Sequence, residues 1–457
     1  MRTIYLLYTI FLSAALLAAC KKSTFLDARP DSSISIPTSI GDCQALMDND
    51  NVMNGYGAGY PSLGETGSDD YYVNNTFYAQ YTPTDRNAVI WAADTYTDGE
   101  VNDWDLPYRT VLYSNVVLEA LGKLQPTANE LDSFNNAQGS AFFFRGFAYF
   151  QLTQIFTKPY YDDGTAAADP LGLPLRKTTD IEEKFTRDSL LNTYNQIIND
   201  LSAAIPLLPN IPASITRPSR AAAYSMLARV YLSMRKYANA LLYADSCLQI
   251  KHTLMDYNDA IPGGALPFTR TNPEVILGAA MSSSGPCAIS RSFTDSLLLA
   301  SYQSNDKRKT LFFNKGRFIG VYDEDGYTFC GLATDEMYLT RAECYARTGN
   351  IDAAMNDLDS LMIKRMSTGA FTPYTATDAN DALQQILQER RKELLYRGLR
   401  WTDLRRLNMD ASTATTLTRT VAGTIYTLPP NDPRYVYQIP AEVITFNMPN
   451  MQQNDPR

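Results

Sequence analysis

Residues 228–240, ARVYLSMRKYANA, and residues 342–354, AECYARTGNIDAA, decide the fold when one is laid over the other. Ala228 falls on Ala342, Tyr231 on Tyr345, Tyr237 on Ile351 and Ala240 on Ala354. In both, a helix ends in a short turn (Met234-Arg235-Lys236; Thr348-Gly349-Asn350) and a second helix begins. Small alanines at these places let two helices approach closely while a large neighbour fills the groove between them. Repeated helix–turn–helix units of this kind stack to bury a shared core.

Working outward, Tyr224, Leu227, Ala228, Tyr231 and Leu232 are spaced i, i+3, i+4, i+7, i+8, one apolar stripe of a helix. Ser219 is its expected N-cap, and the partner helix runs over 237–250. Further helices are predicted at 40–47, 105–124, 129–156, 188–208, 335–347, 351–365 and 379–397, with β-like stretches at 274–277 and 317–321. Consecutive helices pair as 105–156, 188–233, 237–250 with 335–347, and 351–397. The expected fold is therefore mainly α: four tetratricopeptide-like (TPR-like) helical pairs, an α-α superhelix, supporting an irregular, loop-rich half with few short strands. Generic helical hairpins are the alternative. The copies are not in tandem, because residues 252–333 interrupt the array. The organisation reads as 20–103, a lead and loop-rich region; 104–251, helices; 252–333, an inserted loop and β region; 334–408, helices; and 409–457, coil and short strands. TPR arrays bind and scaffold, so recognition is expected in the loops of 54–103 and 252–333.

Composition narrows the function. The net charge is -9 without an evident basic patch, which argues against nucleic acid. The one histidine, His252, and six scattered cysteines make a zinc or iron site improbable, and no cofactor is implied. Cys247 and Cys344 fall on apolar helix faces, and a Cys287–Cys330 disulfide is left open. Asp323-Glu324-Asp325-Gly326 hints at a structural calcium turn, but the further ligands at fixed spacing are missing, which favours an acidic hairpin turn. There are 30 tyrosines, plates with a polar tip that suit both binding surfaces and helix interfaces.

Residues 1–19 combine Arg2, an apolar run from Ile4 and small residues, and read as a secretory signal. Leu17-Ala18-Ala19-Cys20 matches a bacterial lipobox, which makes Cys20 the lipidated N-terminus of a domain, 20–457, anchored to a membrane. An ordinary cleavage site with a chance cysteine is the alternative.

Several stretches together resemble the SusD/RagB family. These are Phe25-Leu26-Asp27 with Pro30; Arg145 to Leu152 followed by Phe156 and Pro159-Tyr160; Pro218 to Ala222; Glu389 to Leu394 followed by Gly398 to Arg406; and Ile439-Pro440 with Asn450 and Gln452 to Pro456. Arg397 and Leu399 depart from the pattern, where an acidic residue and His are expected. The resemblance implies an outer-membrane lipoprotein facing outwards that binds oligosaccharide or polysaccharide, or peptide in some branches, and delivers it to a SusC-type TonB-dependent transporter. A structural TPR scaffold lipoprotein is a further reading. The bottom-up reading of Glu389, Arg390, Glu393 and Arg400 is an ion network across helical turns and to the next helix, not catalysis. No catalytic residue is assigned and no enzyme activity is expected.

Sugars need aromatic plates with hydrogen-bonding side chains close by. The candidate ligand residues are Trp91, Tyr78, Tyr81, Tyr96, Asp69, Asp70 and Asn74 from the first loop region, and Tyr302, Arg317, Phe318 and Tyr322 from the second. The same regions also supply Tyr56, Tyr60, Tyr71, Tyr72, Phe293, Asn305, Arg308, Phe313 and Tyr327. Trp91 is the expected leading plate. Trp104 and Trp401 fall to the core.

Overall fold

Ser219 begins its helix as expected, accepting the Ala222 N–H, and other polar residues do the same elsewhere, among them Ser39, Ser189, Asn350 and Asp378. Each such cap contributes about 1 kcal/mol by satisfying an otherwise orphaned backbone donor. The computed structural model describes residues 36–57, 59–96, 101–161, 170–260 and 266–455. The signal, the lipobox and Cys20 lie outside them.

The helices that matter for the site are α1 (Ile40–Met47), α2 (Asn102–Leu121), α3 (Leu131–Phe156), α4 (Leu190–Leu207) and α5 (Arg220–Ser233). After them come α6 (Tyr237–Ile250), α7 (Thr334–Arg347), α8 (Ile351–Met362), α9 (Ala379–Glu393) and α10 (Arg400–Leu407). From α2 to α8 each helix packs on the next. α3 is buried on nearly every face because α2 and α4 cover it from two sides.

The aligned alanines Ala228, Ala240, Ala342 and Ala354 are all fully buried. The two turns also share their backbone. Arg235 and Gly349 occupy equivalent places and both have a left-handed φ, +58° and +83°. Lys236 N donates to Tyr231 O and Asn350 N to Tyr345 O, both at 2.9 Å. That six-to-one bond is the Schellman ending, which satisfies the last helical carbonyls and turns the chain back on itself. α9 packs mainly on α7 rather than on α8, so the fourth pair is looser than expected.

The interrupting segment leaves after α6 and returns through β6 (Leu332–Ala333), which pairs with β1 (Val275–Leu277) and runs straight into α7. α6 and α7 therefore stack although the insertion separates them in sequence. Within the segment β2 (Ala280–Met281) pairs with β5 (Thr328–Phe329), and β3 (Phe313–Asn314) with β4 (Arg317–Phe318). Beyond α10, β7 (Leu417–Val421) and β8 (Thr424–Leu428) form a hairpin.

Two expectations are corrected. The helix predicted over 379–397 stops at Glu393, because Tyr396 and Gly398 take left-handed φ values that no helix accommodates. The C-terminal strands lie within the 409–457 read as coil and short strands, but a short helix, Ala441–Asn447, follows them in that stretch. Cys287 and Cys330 are both buried free thiols, as are Cys43, Cys247 and Cys344.

The two halves are tied by buried charge. Arg308, with no exposed surface, reaches Asp306 (2.7 Å), Glu389 (2.6 Å) and Glu393 (2.9 Å); Arg365 reaches Glu393 and Glu274, both at 2.8 Å. These partners come from the insertion, α9 and the turn after α8. The expected pairing to the next helix is present in Arg390–Asp403, and Glu389 and Glu393 add long-range ties to Arg308 and Arg365. Removing one member of such a network strands the others and costs about 3–5 kcal/mol.

Candidate ligand-binding face

The face is built where three extended pieces meet. Residues 70–73 run beside 292–295: Tyr72 N donates to Phe293 O and Asp295 N to Asp70 O, both at 2.9 Å. The β3–β4 hairpin adds on the other side, with Thr294 N to Gly316 O and Phe318 N to Ser292 O at 3.0 Å. The two loop-rich regions are thereby joined in one small sheet-like surface. Side chains alternate across extended backbone. Tyr71 is turned inward and Tyr72 outward, 4 % against 45 % exposed.

Around Phe293 the outward groups gather. Its ring centroid lies 5.5 Å from that of Tyr72 and 5.9 Å from that of Phe77, stacked with the latter, and the Arg317 guanidinium carbon sits 5.1 Å from its centroid. Asn74 caps the short helix Asn75–Tyr78 that carries Phe77. Beside this cluster a groove of about 770 Å³ is lined by Leu266, Ser283, Ile289, Phe293, Asn314 and Arg317, among others. That volume is within the usual range for small-ligand sites.

Of the expected ligand residues, Asn74 and Arg317 stand at this cluster, with Arg317 exposed; Tyr78 and Tyr96 are half-buried. The rest are corrected by packing. Trp91 is 1 % exposed, its indole N–H donates to Gly67 O at 2.9 Å, and the Arg419 guanidinium lies 4.7 Å from the ring. Tyr302 is buried with its hydroxyl on Lys392 O, Phe318 stacks on Tyr396, and Tyr322 bonds Glu274 and Tyr257. Tyr81 and Asp70 are buried as well, and Asp69 is held by Arg400 at 2.6 Å. Tyr81, Tyr302, Phe318 and Tyr322 belong to the apolar cluster against which Phe77 packs. Phe77 was missed by sequence reasoning: it lies one residue from Tyr78 in a short polar helix that gave no periodic signal. The acidic turn 323–325 is organised by a protein cation, since Arg270 reaches Asp323 at 2.8 Å and Asp325 at 3.0 Å.

A family model described as "Starch-binding associating with outer membrane" matches residues 24–232, and the model of the SusD family matches residues 334–456. The chain belongs to the SusD/RagB family. Solved structures agree in fold. A SusD superfamily protein from Bacteroides thetaiotaomicron is 20% identical with a TM-score of 0.72, covering 91% of this chain and 100% of its own. A SusD-like carbohydrate binding protein from Bacteroides vulgatus is 20% identical with a TM-score of 0.66, covering 90% and 97%. A SusD superfamily protein from Bacteroides fragilis is 19% identical with a TM-score of 0.71, covering 90% and 99%. No curated protein sequence matches. SusD-like proteins are binding proteins, and the family model's description places them at the outer membrane.

In this SusD/RagB chain the diagnostic C-terminal segment serves the scaffold. Arg390 pairs with Asp403 at 2.8 Å, and Arg406 with Glu343 at 2.6 Å. Arg397, a departure from the family pattern, pairs with Asp335 at 2.8 Å and lies 4.1 Å from the Tyr322 ring. Burial opposes ionisation of Glu393, yet the charges of Arg365 and Arg308 outweigh it and hold the carboxyl below its ordinary range. Asp403 is likewise held at about 2 by Arg390 and Arg406 against the cost of burial. Glu274, Asp335 and Glu393 bring one oxygen each within 4.8 Å. Arg365, Arg397 and the Tyr322 hydroxyl already engage those oxygens, so the donor set is that of an ion network. Asp69 and Asp70 are no facing acid–base pair. Burial lifts Asp70 to about 6 against the pull of Arg391, but its side chain is sealed from solvent. Burial also disfavours charge on Asp69; Arg400 and Arg391 outweigh it and hold that carboxyl low.

Proposed function

We propose that this protein captures a glycan at the cell surface and passes it to a SusC-type TonB-dependent transporter, anchored to the outer membrane by lipid on Cys20 and facing outwards. The observation that carries the reading is the aromatic cluster of the exposed Tyr72 and the half-buried Phe77 and Phe293, with Arg317 and Asn74 beside a groove. Aromatic plates take the C–H faces of sugar rings, and the neighbouring polar groups take hydroxyls. The lipobox and the family's outer-membrane description support the location. The reading calls for no cofactor and no catalytic group.

The test is isothermal calorimetry of residues 21–457 against plant, host and microbial glycans and casein peptides. One glycan class should bind, about tenfold more weakly after Tyr72→Ala or Phe293→Ala, with circular dichroism unchanged. Binding of peptides alone would replace this reading with peptide capture. Silence across the panel, with and without the transporter, would leave a TPR scaffold.

A further inference from the structure

The protein is acidic overall, yet the side chains that line the groove carry more positive than negative charge. Lys315 and Arg317 line it, and neither has a carboxylate partner among the described residues. The carboxylate that lines it, Asp325, shares the Arg270 guanidinium with Asp323, so against Lys315 and Arg317 the lining side chains still carry a net positive charge. Arg317 is placed with care. Its backbone bridges Phe293, and its guanidinium sits over that ring, so the charge is presented beside the aromatic wall.

Lys315 stands at the tip of the hairpin that carries Arg317. It and Gly316 form the two-residue loop between Asn314 and Arg317, with φ of +52° and +80°. Such a turn favours Asn, Asp or Gly at its first position, because a longer side chain strains a left-handed backbone. Ala422 and Gly423 make the same turn between β7 and β8, so the backbone belongs to the hairpin, and what Lys315 adds is an exposed ammonium group at the tip, two residues from Arg317.

We propose that the groove binds a saccharide carrying carboxylate or sulfate groups, with Arg317 and Lys315 on the anion and Phe293 and Tyr72 on the sugar ring. The guanidinium fork matches either oxyanion. This assignment rests on the groove being the ligand site.

The experiment is calorimetry of residues 21–457 with oligogalacturonates, oligosaccharides of dextran sulfate and neutral malto-oligosaccharides, each at low and high salt. One or both anionic ligands should bind, more weakly at high salt. Which of them binds distinguishes carboxylate from sulfate. Lys315→Asn should raise the melting temperature while weakening the anionic ligand about fivefold; Arg317→Gln should weaken it at least as much. A structural role for Lys315 would not produce that opposite movement. If a neutral oligosaccharide binds as well, unaffected by both variants but lost on Phe293→Ala, the charge assignment is overturned and glycan capture stands. If no saccharide binds and acidic peptides do, both fall.

Discussion

Replacing Trp91 separates packing from ligand contact. The ring is almost wholly buried, its N–H holds Gly67 O, and it lies beside the buried Arg419 guanidinium, which also faces Tyr71 at 4.4 Å. Trp91→Ala removes a large core side chain, a loss of about 3–5 kcal/mol. Trp91→Phe keeps most of the apolar area but strands the Gly67 carbonyl, a loss of about 1–2 kcal/mol. Urea unfolding followed by circular dichroism should give those two steps in that order. Calorimetry at a temperature where both variants remain folded should show ligand affinity within about threefold of the parent, the size of change left when no direct contact is lost. Unchanged stability with abolished binding would refute this reasoning and restore Trp91 as a ligand plate.

Arg308→Met should destabilise by about 3–5 kcal/mol, because Asp306 and Glu389 lose their buried guanidinium; adding Glu389→Gln should recover part of the loss in the same urea titration. Gly67→Ala places a Cβ 2.7 Å from Trp401 Cζ3, a buried ring edge that cannot yield, and should cost about 1–3 kcal/mol; a neutral result would mean that the backbone shifts freely there. Stability should also fall as pH rises from about 4 to about 7. Burial lifts Asp70 and Asp103 to about 6 and Asp335 to about 7, so the native state holds protons that the unfolded chain, with Asp near 3.8, has released. That contribution is complete below the unfolded value and lost through the folded one. Asp103→Asn keeps an acceptor for the Ser62 and Leu63 N–H groups and should flatten the slope of melting temperature against pH; an unchanged slope would exclude Asp103 as one of its sources. Asp403, held low, contributes oppositely and only in acid, below about 4.

The sequence by itself determined the helical array. Helical stripes, the four small residues and the two turns are short-range signals, and each is realised where it was read. Even the left-handed residue recurs at the same place, as Arg235 in one turn and Gly349 in the other. The membership of Glu389, Arg390 and Glu393 in an ion network was legible too, because so many opposite charges on one helix must be paired. Their partners were not. Arg308 and Arg365 come from remote segments, and nothing in local spacing distinguishes a surface arginine from a buried one.

The candidate face was legible by region and not by residue. Tyr71 and Tyr72 are neighbours of the same type, and only their pairing with Phe293 and Thr294 decides that one ring is core and the other is exposed. Trp91 fails as a plate for the same reason: its loop folds inward onto Gly67 and Arg419. Periodicity reports which face of an element is apolar. Which aromatic of an irregular loop is left in water is set by contacts between segments far apart in the chain, so the tertiary structure alone decided it.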